Sequence, residues 1–347
     1  MTTADTPLVL GIDIGGTQCA VAVGDGQERV LAHTRWPSEV EKGPQAMIRR
    51  MTDEARRLLG RIPGRLAGIG VGCGGPLDRL SGIVLNPPNL PGWERVNLTA
   101  RLAAILNAPA WLDNDANVGA LGEYRHGAGR GASNMIYVTV STGIGAGIIL
   151  NGQTWYGVAD SAGEIGHQTV LLSGAKCTCG NTGCLETVAS GTAIGREARD
   201  AVTNDRGVTT RPLLAAVNGQ ASTLNAQHVA DLARTGDPLA RRIWLHAVSY
   251  LAIGIGNLIT TLAPSRVIIG GGVAAAGDVL FEPLREALRE RVRLVPMDQV
   301  EVVPAALGTD SVLRGAISLA LQCVAEKRPI APRPKTGRRA STGTLRT

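Results

Sequence analysis

Residues 164–186, EIGHQTVLLSGAKCTCGNTGCLE, constrain this chain more than any other stretch. Cysteines stand at 177, 179 and 184 in a C-x-C-G-x-x-G-C pattern, with His167 ten residues before the first thiol. Three thiolates and one imidazole complete a tetrahedral shell for zinc and leave no position open for water, so such a centre staples a loop and is not itself the catalyst. Gly180 and Gly183 let the loop double back, so that Cys184 can join His167, Cys177 and Cys179 around one ion. A redox pair or a disulfide loop is the competing reading, and the spacing with a flanking histidine suits a metal better. Glu164 and Glu186 bracket the cluster. On a clamped loop they would hold acceptors toward a polyhydroxylated ligand; taken alone, each reads equally well as a solvated acid.

Two glycine turns come next in weight. Residues 8–12, LVLGI, run into Asp13 and Gly15-Gly16-Thr17, and a second apolar run, Cys19 to Val23, follows at once. That is a strand, a tight turn and a returning strand. A similar unit recurs 128 residues later at 135–150, with Ser141-Thr142-Gly143 in its turn, which suggests a duplicated domain. Bare backbone N–H groups and a threonine hydroxyl at each turn make a phosphate cradle; plain hairpins are the alternative. No G-x-x-x-x-G-K-[ST] occurs, so neither is a Walker A loop.

The rest of the chain alternates strands and helices. A helix is expected over 44–60 and a strand over 66–72. In that strand Gly70, Gly72 and Gly75 match G-x-G-x-x-G, but Pro76 and a turn-like run follow instead of a helix, which excludes a dinucleotide site and leaves a glycine turn that could hug a ligand. After a helix near 97–106, a strand over 109–112 ends at Asp113-Asn114-Asp115-Ala116-Asn117, and a helix continues to about 126. A carboxylate there lies where α/β sheets bind ligands. Asp115 reads as a general base for a substrate hydroxyl or as a helix N-cap. Residues 187–199 read as helix and 203–223 as an irregular loop or hairpin, followed by helices over 226–234 and 237–262. A strand, Arg266 to Ile269, enters Gly270-Gly271-Gly272, which permits close approach of adenine and its ribose or forms a plain turn. A helix over 278–291, a strand over 299–303 and a helix over 310–322 complete two α/β domains around a cleft. The expected divisions are an extension 1–7, domains 8–128 and 129–325, and a tail 326–347.

The formal charge of +6 suggests a nucleic-acid binder only until it is mapped. Residues 327–347 carry seven Lys or Arg and no acid, and without them the body stands at −1. The basicity belongs to a tail that reads as disordered. The uncharged stretch Ile243 to Ser265 contains His246, Ser249, Asn257 and two threonines, and reads as a buried core helix rather than a membrane span. The first residues show no basic region and no cleavage pattern, and with six cysteines a reducing cytoplasm is expected.

Together, Asp13-Ile14-Gly15-Gly16-Thr17, Asp113-Asn114-Asp115-Ala116-Asn117, Glu164-Ile165-Gly166-His167 and the C-x-C-G-x-x-G-C-x-E run resemble the ROK family of bacterial sugar kinases, repressors and open-reading-frame products, over about residues 8–322. The resemblance implies an α/β, actin-like fold of the ribonuclease H-like, hexokinase type, with ATP held between two domains. It makes Asp115 the catalytic base. Asn114, Glu164, His167 and Glu186 become sugar contacts, with Gly75 and Asn89 as neighbours. His167 would serve twice, one ring nitrogen on zinc and the other toward the sugar. Gly15, Gly16, Thr17, Thr142 and Gly143 would hold the ATP phosphates, Gly271 the adenosine side, and Asp13 would organise Mg²⁺. The implied activity is transfer of phosphate from ATP to the 6-hydroxyl of glucose, with ATP, Mg²⁺ and a structural Zn²⁺, in a cytoplasmic homodimer or tetramer without nucleic-acid or membrane partners.

Two departures from the family pattern stand out. Gln18 replaces the common Lys or Asn after Gly-Gly-Thr, and Cys73-Gly74-Gly75-Pro76 replaces Pro-Gly-Pro. The second is similar to N-acetylmannosamine kinases, so N-acetylmannosamine or N-acetylglucosamine is the alternative substrate. Polyphosphate is the alternative donor. The family's repressors carry a winged helix-turn-helix before the first strand; about seven residues precede it here, so a sugar-responsive regulator is a lesser expectation, as is an inactive sugar-binding protein.

Overall fold

The computed structural model describes residues 6–204 and 207–328. In chain order the first half runs β1 (Pro7–Ile14), β2 (Gln18–Asp25), β3 (Val30–Pro37), α1 (Gly43–Leu59), β4 (Arg65–Cys73), β5 (Leu77–Asp78), β6 (Ile83–Val84), β7 (Val96–Asn97), α2 (Leu98–Leu106), β8 (Ala110–Asn114) and α3 (Asp115–His126). The second runs β9 (Met135–Val140), β10 (Ile144–Leu150), β11 (Gln153–Thr154), α4 (Glu186–Ala189), α5 (Gly191–Asn204), α6 (Arg211–Ala216), α7 (Ala226–Arg234), α8 (Pro238–Leu262), β12 (Arg266–Gly270), α9 (Asp278–Arg291), β13 (Glu301–Pro304) and α10 (Ser311–Ala325).

The large sheets share one plan. Their orders are β3-β2-β1-β4-β8 and β11-β10-β9-β12-β13. In each, the first hairpin is antiparallel and the next two pairings are parallel. Because β1 is buried on both faces, it can be a continuous apolar run, Leu8, Val9, Leu10 and Ile12 all being fully buried. This is the duplicated actin-like architecture. A helix such as α1 supplies one cover, burying Met47, Ile48, Met51, Ala55 and Leu58 at helical spacing over that sheet.

Helix α10 supplies the other cover, and here the structure departs from the sequence-based division at 128/129. Leu313, Ile317 and Ala320 pack on Val9, Ala20 and Ala22 of the first sheet, while Ala316, Leu319 and Cys323 meet Val118 and Leu121 of α3. The last helix of the range 129–325 therefore belongs in space with the first half. Glycines make the approach feasible: a Cβ on Gly70 would run into the Ala316 carbonyl, and one on Gly72 into Val312. Their role is helix packing, not the ligand turn considered for them. Glu123, fully buried on α3, secures the entry to α10 by accepting from the N–H groups of Ala306 (3.1 Å) and Leu307 (2.9 Å) and the Ser311 hydroxyl (2.7 Å).

Other differences are local. β3 was not foreseen. The expected helix over 187–199 breaks at Ser190, which is extended, so that Gly191 N–H bonds the Ser141 carbonyl at 2.7 Å. Residues 203–223 contain the short helix α6 rather than a hairpin. Helix α8 is long and apolar enough to cross a membrane, yet Ile243, Trp244, Ala247, Leu251 and Ile255 are buried in the second core, as expected of a core helix. Residues 1–5 of the extension, and 329–347 of the basic tail expected to be disordered, lie outside the described residues.

Candidate active site

The zinc-type cluster forms. Ligand atoms of His167, Cys177, Cys179 and Cys184 all lie within 4.8 Å of one another. Sγ of Cys179 and Cys184 are 3.7 Å apart, and His167 Nδ1 is 3.5 Å from Cys177 Sγ. Bonds of about 2.3 Å to a tetrahedral zinc require S–S edges of about 3.8 Å, whereas a disulfide needs about 2.05 Å. The donor set and its spacing therefore fit a four-coordinate metal and not a bridge. His167 Nε2 points away from the thiols, 3.8 Å from Glu164.

Strand β8 delivers the acidic turn. Asn114, not Asp115, is the N-cap of α3: its Oδ1 accepts from Ala116 N–H at 2.9 Å. Asp115 occupies the first helical position, where its Oδ1 accepts from the same N–H at 2.8 Å. Gly74 and Gly75 face this pair, since a Cβ on them would lie 3.8 Å from Asp115 Oδ2 and 3.4 Å from Asn114 Nδ2. Burial raises the pKa of Asp115, the Ala116 N–H opposes, and the charge of Glu164 adds to the rise. The acidic turn and the cysteine loop thus face one another.

One glycine turn follows Asp13, which feels the charge of Asp115, and the other abuts Glu186 of the cysteine loop. Gly16 abuts Asn89, to whose Cβ an added methyl would come within 2.8 Å. The Gly15–Thr17 turn is held by Ser38, whose N–H donates to the Thr17 carbonyl (2.9 Å) and whose hydroxyl donates to that of Gly15 (2.5 Å). In the second turn Thr142 is exposed, and the N-terminus of α5 stands behind it, an arrangement suited to anions. Glu186 is partly committed: its Oε2 accepts from Ile144 N–H at 2.9 Å, and Gly143 has no room for a Cβ because that carboxylate occupies the space. It therefore joins the cysteine loop to the second turn.

A cavity of about 460 Å³ continues from Ser141 and Thr142 toward Thr192, Arg199, Asn225, Gln227 and Trp244, closed by Gly272 and Val273. Such a volume accommodates a nucleoside. Gly271 does not line it; at φ +85 it turns the chain so that Gly272 does. None of the far-wall residues carried a sequence motif.

Asp13, at the end of β1, has its carboxyl pushed up to about 7, first by burial and then by Asp115, with Arg35 opposing and Asp310 adding. Arg35 was also missed, although register explains it: Asp13 pairs with Ala20 and Ala20 with Arg35, so the three share a face, and Arg35, whose Nη2 donates to Asp310 Oδ1 at 2.8 Å, acts on Asp13 through its charge. A carboxyl with a folded pKa above its unfolded value, about 4, stabilises the fold below that value and loses the contribution as pH rises through about 7. Asp13→Asn is therefore expected to exceed the wild type in Tm without ligand at both pH 5 and pH 8, and by clearly more at pH 8. Equal Tm values at both pH values in thermal scans would contradict this.

A profile of the ROK family matches residues 9–323. The chain belongs to the ROK family. The glucokinase of Halalkalibacterium halodurans is 36% identical over 306 residues, 87% of this chain and 91% of that protein. Among solved structures, a ROK hexokinase from Thermus thermophilus superposes with a TM-score of 0.78 at 33% identity, covering 92% of this chain and 99% of that one. A ROK family glucokinase from Streptomyces griseus, in complex with glucose and AMPPNP, gives 0.77 at 30% identity over 91% and 99%. The conformity of this ROK chain to the family thus extends over nearly its whole length and does not rest on a single motif.

Proposed function

We propose that this ROK protein is an ATP-dependent hexose kinase that phosphorylates the 6-hydroxyl of glucose. The carrying observation is Asp115, a part-buried carboxylate at a strand end, facing Glu164 on the cysteine loop within electrostatic reach. Similarity to glucokinases across nearly the whole chain supports glucose as the hexose.

In this reading Asn114, Glu164, His167 and Glu186 hold the sugar hydroxyls, with Gly75 and Asn89 beside them, and Asp115 takes the proton from O6 as it attacks the γ-phosphorus. Phosphoryl transfer depends mostly on positioning and charge neutralisation. Gly15, Gly16 and Thr17 on one side, and Thr142 and Gly143 on the other, offer N–H and hydroxyl donors to the phosphates, while Asp13 would bind Mg²⁺ directly or through water. Gly271 acts at one remove, by presenting Gly272 to the adenosine. His167, Cys177, Cys179 and Cys184 would hold zinc, which supplies rigidity to the loop. The nucleoside-sized cavity favours ATP over polyphosphate, which has no base to fill it. The same reading makes the protein a cytoplasmic enzyme and a homo-oligomer, without nucleic-acid or membrane partners.

The Gly74-Gly75 turn beside Asn114 and Asp115 favours a second reading, an N-acetylmannosamine or N-acetylglucosamine kinase, because its two glycines put no side chain of their own into that space. Coupled ADP release from Mg-ATP with glucose, mannose, N-acetylglucosamine and N-acetylmannosamine distinguishes the two, with zinc measured on the same sample. Turnover of glucose with about one zinc per chain is expected. Preference for an acetylated sugar would select the second reading, and no turnover with any sugar would remove both.

A further inference from the structure

The segment between β11 and Glu164 forms a strap across to the first half, and two bonds fasten it. The Tyr156 hydroxyl donates to Asp113 Oδ2 at 2.8 Å, and Arg79, in the turn between β5 and β6, donates through Nη2 to Asp160 Oδ1 at 2.9 Å. The guanidinium of Arg79 also lies 4.0 Å over the Tyr156 ring, so one side chain secures both points. Between them, Ala159 and Asp160 sit at φ +53 and +57, a backbone region non-glycine residues keep only when their surroundings hold them there.

Asp113 is no part of the proposed chemistry, yet its carboxylate is only 3% exposed and accepts three bonds. Besides Tyr156, these come from Asn114 N–H at 2.7 Å and Asn117 Nδ2 at 3.2 Å. The Asn114 bond is one residue from Asp115, so the orientation of the Asp113 carboxylate sets the backbone from which Asp115 projects. Burial and the Asp113 charge raise the pKa of Tyr156, which keeps its hydroxyl a donor.

We propose that Tyr156 and Arg79 are positioning residues that register the turn bearing Asp115 against the loop bearing Glu164 and His167. The proposal rests on the reading of Asp115 as the base and adds that base and sugar loop are held in one unit spanning the two halves. Tyr156 is eight residues before Glu164 on the same strap, so releasing it frees both partners of the sugar at once.

Tyr156→Phe in the full-length, zinc-loaded protein tests this, because the ring stays under Arg79 and only the hydroxyl goes. The expected result is a kcat about tenfold lower and a severalfold higher KM for the hexose, with KM for Mg-ATP unchanged because no strap residue lines the nucleoside cavity. Arg79→Met should move the same two constants in the same direction by less. A bond that merely held the fold would lower Tm and the active fraction, hence kcat, and leave the hexose KM alone; an unchanged hexose KM in Tyr156→Phe therefore overturns the proposal. Wild-type turnover is the reference. A wild type inactive on every hexose overturns the kinase reading and this one with it, whereas an active wild type with an unaltered Tyr156→Phe overturns the positioning role alone.

Discussion

Asp115→Asn is expected to lower kcat by about 100-fold or more while sugar and zinc remain bound. The substitution is close to isosteric, and the amide oxygen can still accept the Ala116 N–H that Asp115 accepts at 2.8 Å. Asn114 remains the cap of α3, so the turn should keep its shape. What disappears is the capacity to take a proton from the attacking hydroxyl. Burial and Glu164 raise the Asp115 pKa, so the wild-type rate should fall as the medium becomes more acid through that raised value, and the residual rate of the variant should lose this acid limb. The negative charge of Asp115 also raises Asp13, so its removal should leave KM for Mg-ATP unchanged or lower. Steady-state kinetics across pH, sugar titration by calorimetry and metal analysis together read all of these. Near-normal turnover would remove Asp115 from the mechanism, and loss of sugar binding in parallel with kcat would make it a binding residue instead.

The parts of this molecule that were legible in its sequence are those fixed by local chemistry. Both glycine hairpins, the strand ending at Asp113 and the capped helix after it are set by neighbours within a dozen residues. The ligand cluster was legible because metal chemistry limits which residues and spacings can work, and His167 with Cys177, Cys179 and Cys184 do come together. Long-range packing was not legible. Gly70 and Gly72 alternate like a motif for a ligand, but they are small because α10, more than 200 residues later, lies against them. Arg35 reaches Asp13 only through strand register, which no local pattern declares. The nucleoside cavity is built from α5, α7 and α8, whose contributions, Arg199, Asn225, Gln227 and Trp244, share no spacing in the chain. Glu186 was placed at the sugar from its motif, and the structure adds a bond to Ile144 N–H that gives the same residue a second allegiance.

That second allegiance bears on the metal. Cys179→Ser is expected to drop zinc well below one per chain and weaken sugar affinity by about 100-fold or more. Cys179 is exposed while Cys184 is fully buried, so the serine disturbs packing least and the effect isolates the loss of the metal. Without the ion, His167 loses the partner that fixes its Nδ1 side, and Nε2 loses its aim toward Glu164. Burial and the neighbouring Cys179 push the Cys184 thiol up to about 12, so an empty loop holds a protonated thiol where a thiolate ligand belongs. Metal uptake must therefore release protons, and zinc affinity should fall as pH falls. Because Glu186 ties the loop to Ile144, KM for Mg-ATP should also rise, though by less than the sugar term, since the nucleoside cavity is formed by other elements. Zinc content, sugar titration and ATP kinetics on one preparation give the three numbers. Sugar affinity at the wild-type level in zinc-free Cys179→Ser would show that the loop keeps its shape without the ion, and that the tetrahedral cluster serves stability alone.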